Sequence, residues 1–140
     1  MKICVVDASV IAAAFFQEQF ADNAVALLSS GRPLHAPDLM ISEVASVIWK
    51  RHRRNEIDHA DALGLLADFR TLPISIASSG ELIESALELA LRTDRTVYDC
   101  LYLALAIKTK SAMVTADKRL VNALGGSPLE KHIAWIGEAQ

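Results

Sequence analysis

Residues 3–13 read ICVVDASVIAA, two apolar runs that meet at a single acid, Asp7. The first run is short and rich in β-branched side chains, which suits a buried strand. The second opens a longer helical pattern. Asp7 therefore stands at the carboxyl end of a strand and just before a helix, the place where open α/β sheets bind ligands. An acid there also serves as a helix N-cap, a role that Ser9 could share.

Outward from this stretch the alternation continues. Short apolar runs at 2–6, 33–36, 74–76, 112–114 and 132–136 predict five strands. Helical patterns lie near 9–16, 21–30, 38–53, 59–70, 80–92, 97–109 and 117–124. Asp38 after Pro37, Asp58, and Ser78 with Glu81 three residues on are expected caps, the last a capping box. Strands alternating with helices predict a three-layer α/β/α architecture around a mainly parallel sheet. Without a repeat or linker, and with GGSPLE at 125–130 as a short loop, residues 1–140 are expected to form a single domain. The helix at 97–109, VYDCLYLALAIKT, is apolar nearly all round and is expected to be buried, which makes Asp99 conspicuous.

Composition narrows the classes. A 140-residue chain that is 52% hydrophobic can bury a substantial core and is not disordered. Charges interrupt every apolar run well short of the roughly 18 residues of a membrane span. The opening MKICVVDASVIAAAFF has a signal-like look, but Asp7 falls inside its apolar region, so a cytoplasmic protein is expected. Cys4 and Cys100 lie in apolar runs and read as small buried side chains, not as a disulfide. A net charge of −3 gives no overall mark of nucleic-acid binding, although basic residues cluster locally.

Four acids sit in apolar settings. Asp7 and Asp117 each follow a strand and precede a helix. Glu43 has Leu39, Met40, Ser46 and Val47 as helical neighbours, on or beside the apolar stripe. Asp99 forms a capping-box pattern with Thr96 and has Arg95 nearby as a partner for its charge. Each has a structural explanation, as a cap or a boundary residue. If the four converge, two carboxylates about 5 Å apart repel by roughly 3 kcal/mol at an effective dielectric near 20, so the cluster needs protons or a hard cation. Oxygen donors without His or Cys suit Mg²⁺ or Mn²⁺.

Four blocks in order, VVDASVIAA at 5–13, APDLMISEVASVIWK at 36–50, TVYDCLYLALA at 96–106 and MVTADKRL at 113–120, give the chain its family likeness. It resembles PIN-domain ribonucleases and, among them, the VapC-like toxins of bacterial toxin–antitoxin pairs. The resemblance spans essentially the whole chain and shows no departure at the acids. It implies a metal site on Asp7, Glu43, Asp99 and Asp117, with Ser9 and Thr115 as supporting hydroxyls. The implied activity is Mg²⁺- or Mn²⁺-assisted hydrolysis of RNA phosphodiesters, leaving 5′-phosphate and 3′-hydroxyl ends. Implied partners are a VapB-like antitoxin, a second copy of the chain in a homodimer within a larger toxin–antitoxin complex, and operator DNA through the antitoxin alone.

The run KRHRR offers Lys50, Arg51, Arg53 and Arg54 as phosphate contacts or as cations complementing a helix C-terminus. Lys118 and Arg119 beside Asp117 are equal candidates. His35, His52, His59 and His132 lack metal-ligand spacing and are expected at the surface or its boundary. Trp49 and Trp135 are expected to be core or interface anchors. Two other readings stay open. An aspartyl phosphotransferase would want a second Asp where Ser9 stands. A non-catalytic α/β module that binds RNA or protein would use the acids as caps.

Overall fold

The computed structural model describes residues 2–138. Five strands, β1 (Cys4–Val6), β2 (Leu34–Pro37), β3 (Ile74–Ala77), β4 (Met113–Thr115) and β5 (Ile133–Trp135), form one sheet in the order β3-β2-β1-β4-β5. Every pairing is parallel, with Cys4 opposite Leu34 and Val5 opposite Met113. Each predicted strand is present, trimmed or shifted by one or two residues. β1 and β4 are buried throughout, as central parallel strands covered on both faces must be.

The helices are α1 (Ala8–Phe15), α2 (Ala21–Leu28), α3 (Leu39–Arg53), α4 (His59–Thr71), α5 (Ser79–Thr93), α6 (Val97–Lys108) and α7 (Lys118–Leu124), and a 3-10 turn spans Glu130–His132. The chain moves from β1 outward to β3, then crosses back to β4 and β5. Right-handed crossovers therefore send α1–α4 to one face and α5–α7 to the other. The packing agrees, since α1 touches α2 and α3, α3 touches α4, and α6 lies against α5, β1, β2 and β4. The two directions of winding part between β1 and β4, so their carboxyl ends open onto a switch-point crevice.

Helix α6 is buried without interruption from Cys100 to Ala106, as its sequence predicts. Both cysteines are free and buried. Among the described residues no helix is long and apolar enough to cross a membrane.

The caps divide. Asp58 caps α4 in a full capping box with Asp61. Asp38 does not cap α3, because its own φ and ψ are already helical and an N-cap side chain needs extended backbone to reach the first turn. Its carboxylate instead accepts the backbone N–H of Ser79 at 3.3 Å, across 41 residues. That bond serves the first turn of α5, and Ser78 makes no side-chain cap there, so the Ser78–Glu81 box does not form. Thr96 accepts the Asp99 N–H at 3.1 Å, which is one half of the box expected at α6. Trp49 is not a core residue: it is 53% exposed, with the Arg53 guanidinium 5.0 Å from its ring centre. Trp135 is half-buried against Phe20. His52 and His59 are exposed, and His35 and His132 lie at the boundary.

Candidate active site

Asp7 stands where the sequence placed it, between β1 and α1. It caps α1, accepting the Ser9 N–H at 3.0 Å, and its side chain is only 9% exposed at the switch point. The Ser9 hydroxyl donates to Oδ1 and the Thr115 hydroxyl donates to Oδ2 at 2.6 Å. Each hydroxyl is oriented in turn by a backbone amide from the segment after β4. Ala116 N–H donates to Ser9 Oγ at 2.9 Å, and Asp117 N–H donates to Thr115 Oγ1 at 3.0 Å. The adjacency of β1 and β4 thus fixes the rotamer of one buried carboxylate.

Glu43 arrives from α3 on the boundary of its apolar stripe. The Tyr102 hydroxyl donates to Glu43 Oε1 at 2.5 Å. Tyr102 therefore ties α6 to α3. Sequence reasoning missed it, because a tyrosine on an all-apolar helix reads as core, and at 2% exposure it is core as well. Its spacing of three from Asp99 was the available signal.

Asp99 is half-buried in the first turn of α6. Among the described residues Arg95 makes no ion pair with it, although its charge acts on Asp99 through space. Asp117 caps α7 by accepting the N–H groups of Arg119 and Leu120 at 3.0 and 3.3 Å.

The acids feel one another in sequence. Burial pushes Asp7 from its ordinary 3.8 up to about 6, against the lowering effect of the Ser9 and Thr115 hydrogen bonds and helped by the Glu43 charge. Burial likewise raises Glu43, opposed by Tyr102 and reinforced by Asp99. Asp99 is raised by burial, opposed by Thr96, and reinforced by Asp117. Burial and the Glu43 charge push the Tyr102 phenol far upward, so it remains a donor.

Among the described residues, no three His, Cys, Asp or Glu side chains close into a group that could hold a metal ion. The four acids are neighbours in charge, not a closed coordination sphere. Their donor chemistry nevertheless fits a hard divalent cation, being all carboxylate oxygen, in a crevice that disfavours the negative charge of Asp7, Glu43 and Asp99. Beside them runs an open groove of about 680 Å³. Ser9, Glu43 and Asp117 reach its wall, and Lys50, Arg51 and Arg54 supply its basic side; Asp7 and Asp99 do not line it. Arg53, Lys118 and Arg119 also lie outside that lining, and the Lys118 ammonium rests 4.0 Å from the Trp135 ring centre. Arg51 pairs with Glu18 at 3.2 Å and Glu56 at 3.0 Å and stacks on Phe16. That leaves Lys50 and Arg54, one helical turn apart, as the groove cations without an ion pair among the described residues.

Over residues 4–124 the sequence matches the family model described as PIN domain. The chain belongs to the PIN-domain family. It is 37% identical over 124 residues to ribonuclease VapC3 of Pyrobaculum aerophilum, an alignment covering 86% of this chain and 92% of that protein. Among solved structures it resembles PAE2754 from the same organism, at a TM-score of 0.66 and 23% identity over 96% of this chain and 84% of the other. It also resembles a chain of a toxin–antitoxin complex from Klebsiella pneumoniae, at a TM-score of 0.63 and 15% identity over 97% and 99% of the two chains. At these identities the two structures speak to the shared PIN fold.

Two expected results follow from the geometry. Because the native Asp7 value lies above the unfolded one, the folded protein holds that proton more tightly, and the cost of ionised Asp7 is relieved as pH falls through about 6. The shift corresponds to a cost on the order of 3 kcal/mol at neutral pH. In EDTA, the unfolding free energy of wild type relative to Asp7→Asn is therefore expected to rise between pH 7 and pH 4.5 in urea titrations; a gap independent of pH would contradict a desolvated Asp7. Separately, Tyr102→Phe leaves Glu43 without its donor. It is expected to lower stability by about 1–2 kcal/mol, the range of a charge-assisted hydrogen bond discounted for Glu43's partial exposure. Urea midpoints equal to wild type would contradict the assigned contact.

Proposed function

We propose that the chain is a metal-dependent endoribonuclease, the toxin of a VapBC-like pair, hydrolysing RNA phosphodiester bonds. What supports the reading above all is Asp7: a carboxylate held in one orientation by three donors at the switch point, within charge reach of Glu43, in a chain 37% identical to a ribonuclease VapC. Asp7, Glu43 and Asp99 are the principal ligands for Mg²⁺ or Mn²⁺, and Asp117 completes the acidic wall. When bound, a divalent cation lowers the pKa of water and offsets charge on the phosphate and its leaving oxygen.

The chain's own groups do the rest. Ser9 and Thr115 keep Asp7 from rotating, and Tyr102 does the same for Glu43. Lys50 and Arg54 meet RNA phosphates along the groove. Arg51, held by two carboxylates, sets the position of that basic edge. Arg53, Lys118 and Arg119 contribute at most long-range attraction.

On this reading residues 1–140 form one PIN-like domain that works in the cytoplasm. A VapB-like antitoxin covers the groove, the toxin pairs as a homodimer, and operator DNA is met through the antitoxin. The test is incubation of the purified, antitoxin-free protein with total cellular RNA in Mg²⁺, Mn²⁺ or EDTA. Discrete fragments with 5′-phosphate ends in metal alone are expected. Intact RNA in every lane, from folded protein, would leave a non-catalytic binding module.

A further inference from the structure

At the opposite end of the sheet from the acids, the amino ends of β1 and β4 open onto a second and larger cleft of about 1160 Å³. Lys2, Arg32, Lys110 and Lys131 line it together with His132 and Ser111, and among the described residues no acid does. Four fixed cations gathered in one concavity of a chain with net charge −3 form a local positive field.

Helix ends explain only part of this. The cleft holds the C-terminus of α6, where cations complement the helix dipole. Yet that terminus is already closed by backbone: Ser111 N–H bonds the Ala106 carbonyl at 2.8 Å and Lys110 N–H bonds that of Ile107 at 3.1 Å. Lys110 occupies the left-handed position of this closure, at φ 53°, where glycine is the usual residue. Its side chain is not needed to finish the helix. Among the described residues neither Lys110 nor Lys131 is ion-paired. Arg32 has its Nε committed to the Lys2 carbonyl at 3.3 Å, and the His132 Nδ1 to that of Ser111 at 2.8 Å.

We propose that this cleft is a second contact surface for RNA, gripping the phosphate backbone of the substrate away from the bond that is cut. The inference rests on the nuclease reading, and it deepens it by adding a second binding site for the same substrate. Lys2 precedes β1 and Asp7 follows it, so the backbone at the two poles is about 16 Å apart along the strand. An RNA that meets both must present phosphates on that scale. A chain of several nucleotides does so, whereas a dinucleotide with its single phosphate does not. Charge complementarity favours RNA over a protein partner, because every charged residue of the lining is cationic and Thr109 and Ser111 add hydroxyls.

The experiment measures binding in EDTA, where cleavage is not required, with bulk transfer RNA and with the dinucleotide UpU as probes over about 50–200 mM salt. The variant is Lys110→Gly with Lys131→Gln. Glycine suits the left-handed position, so the fold is expected to be at least as stable as wild type, as a melting curve will show. The expected result for transfer RNA is about a five- to tenfold weaker Kd. Its slope of log affinity against log salt should fall by about 1–2, the value for two lost phosphate contacts. Binding of UpU should not change. An unchanged slope for transfer RNA overturns the proposal. Polyglutamate bound as tightly as transfer RNA, with the same loss in the variant, also overturns it, in favour of an acidic protein partner. Failure of the nuclease reading would appear elsewhere, as RNA left intact by wild type in Mn²⁺ whatever the slope.

Discussion

Asp7→Asn is expected to abolish metal-dependent RNA cleavage, a fall of at least about 10²–10⁴-fold in kcat, while leaving the protein folded. The substitution is nearly isosteric and keeps an oxygen for the Ser9 N–H, so the cap on α1 survives. It removes the charge that the crevice disfavours and that a cation requires. Activity and stability should therefore move in opposite directions: in EDTA at pH 7 the variant should melt no lower than wild type, and with Mn²⁺ it should lose the stabilisation that bound cation gives by mass action. A variant that cleaves RNA at a tenth of the wild-type rate or better would remove Asp7 from the chemistry. One that fails to fold would show that the carboxylate is mainly structural.

Leu103→Ala is expected to have the largest effect on stability, about 2–5 kcal/mol. Leu103 is fully buried at the middle of α6, the helix that lies on β1, β2 and β4 and carries both Asp99 and Tyr102. Removing its branched end leaves a cavity that the parallel strands on one side and α5 on the other cannot easily fill. The urea midpoint should fall without a change in m-value. Below its melting temperature the variant should still cut RNA, because the acids and their donors are untouched. A loss under about 1 kcal/mol would mean that α6 is not the packed centre of the domain.

Local patterning carried much of this structure. The join at Asp7, the alternation of strand and helix, and the all-apolar run of α6 were each legible because burial and period leave their mark residue by residue. The order β3-β2-β1-β4-β5 was not, since strand order is decided by which surfaces meet after the chain has turned back on itself. The same limit explains the misses. Asp38 satisfies α5 from 41 residues away. Tyr102 meets Glu43 across 59. Arg51 was expected to meet phosphate or complement the end of α3, and Glu18 and Glu56 come to it instead. Trp49 was expected to be a core or an interface anchor, and its exposure on α3 excludes the core. The family likeness pointed to the four acids, but only the sheet placed β1 and β4 side by side so that Ser9 and Thr115 could orient Asp7.

If Asp7, Glu43 and Asp99 share a divalent cation, an anomalous difference map will show it, from crystals of the wild-type protein grown free of antitoxin and soaked in Mn²⁺. A peak bounded by those three carboxylates is expected, absent from crystals of Asp7→Asn. A map with no peak at this crevice, or with manganese bound only elsewhere on the molecule, would contradict it.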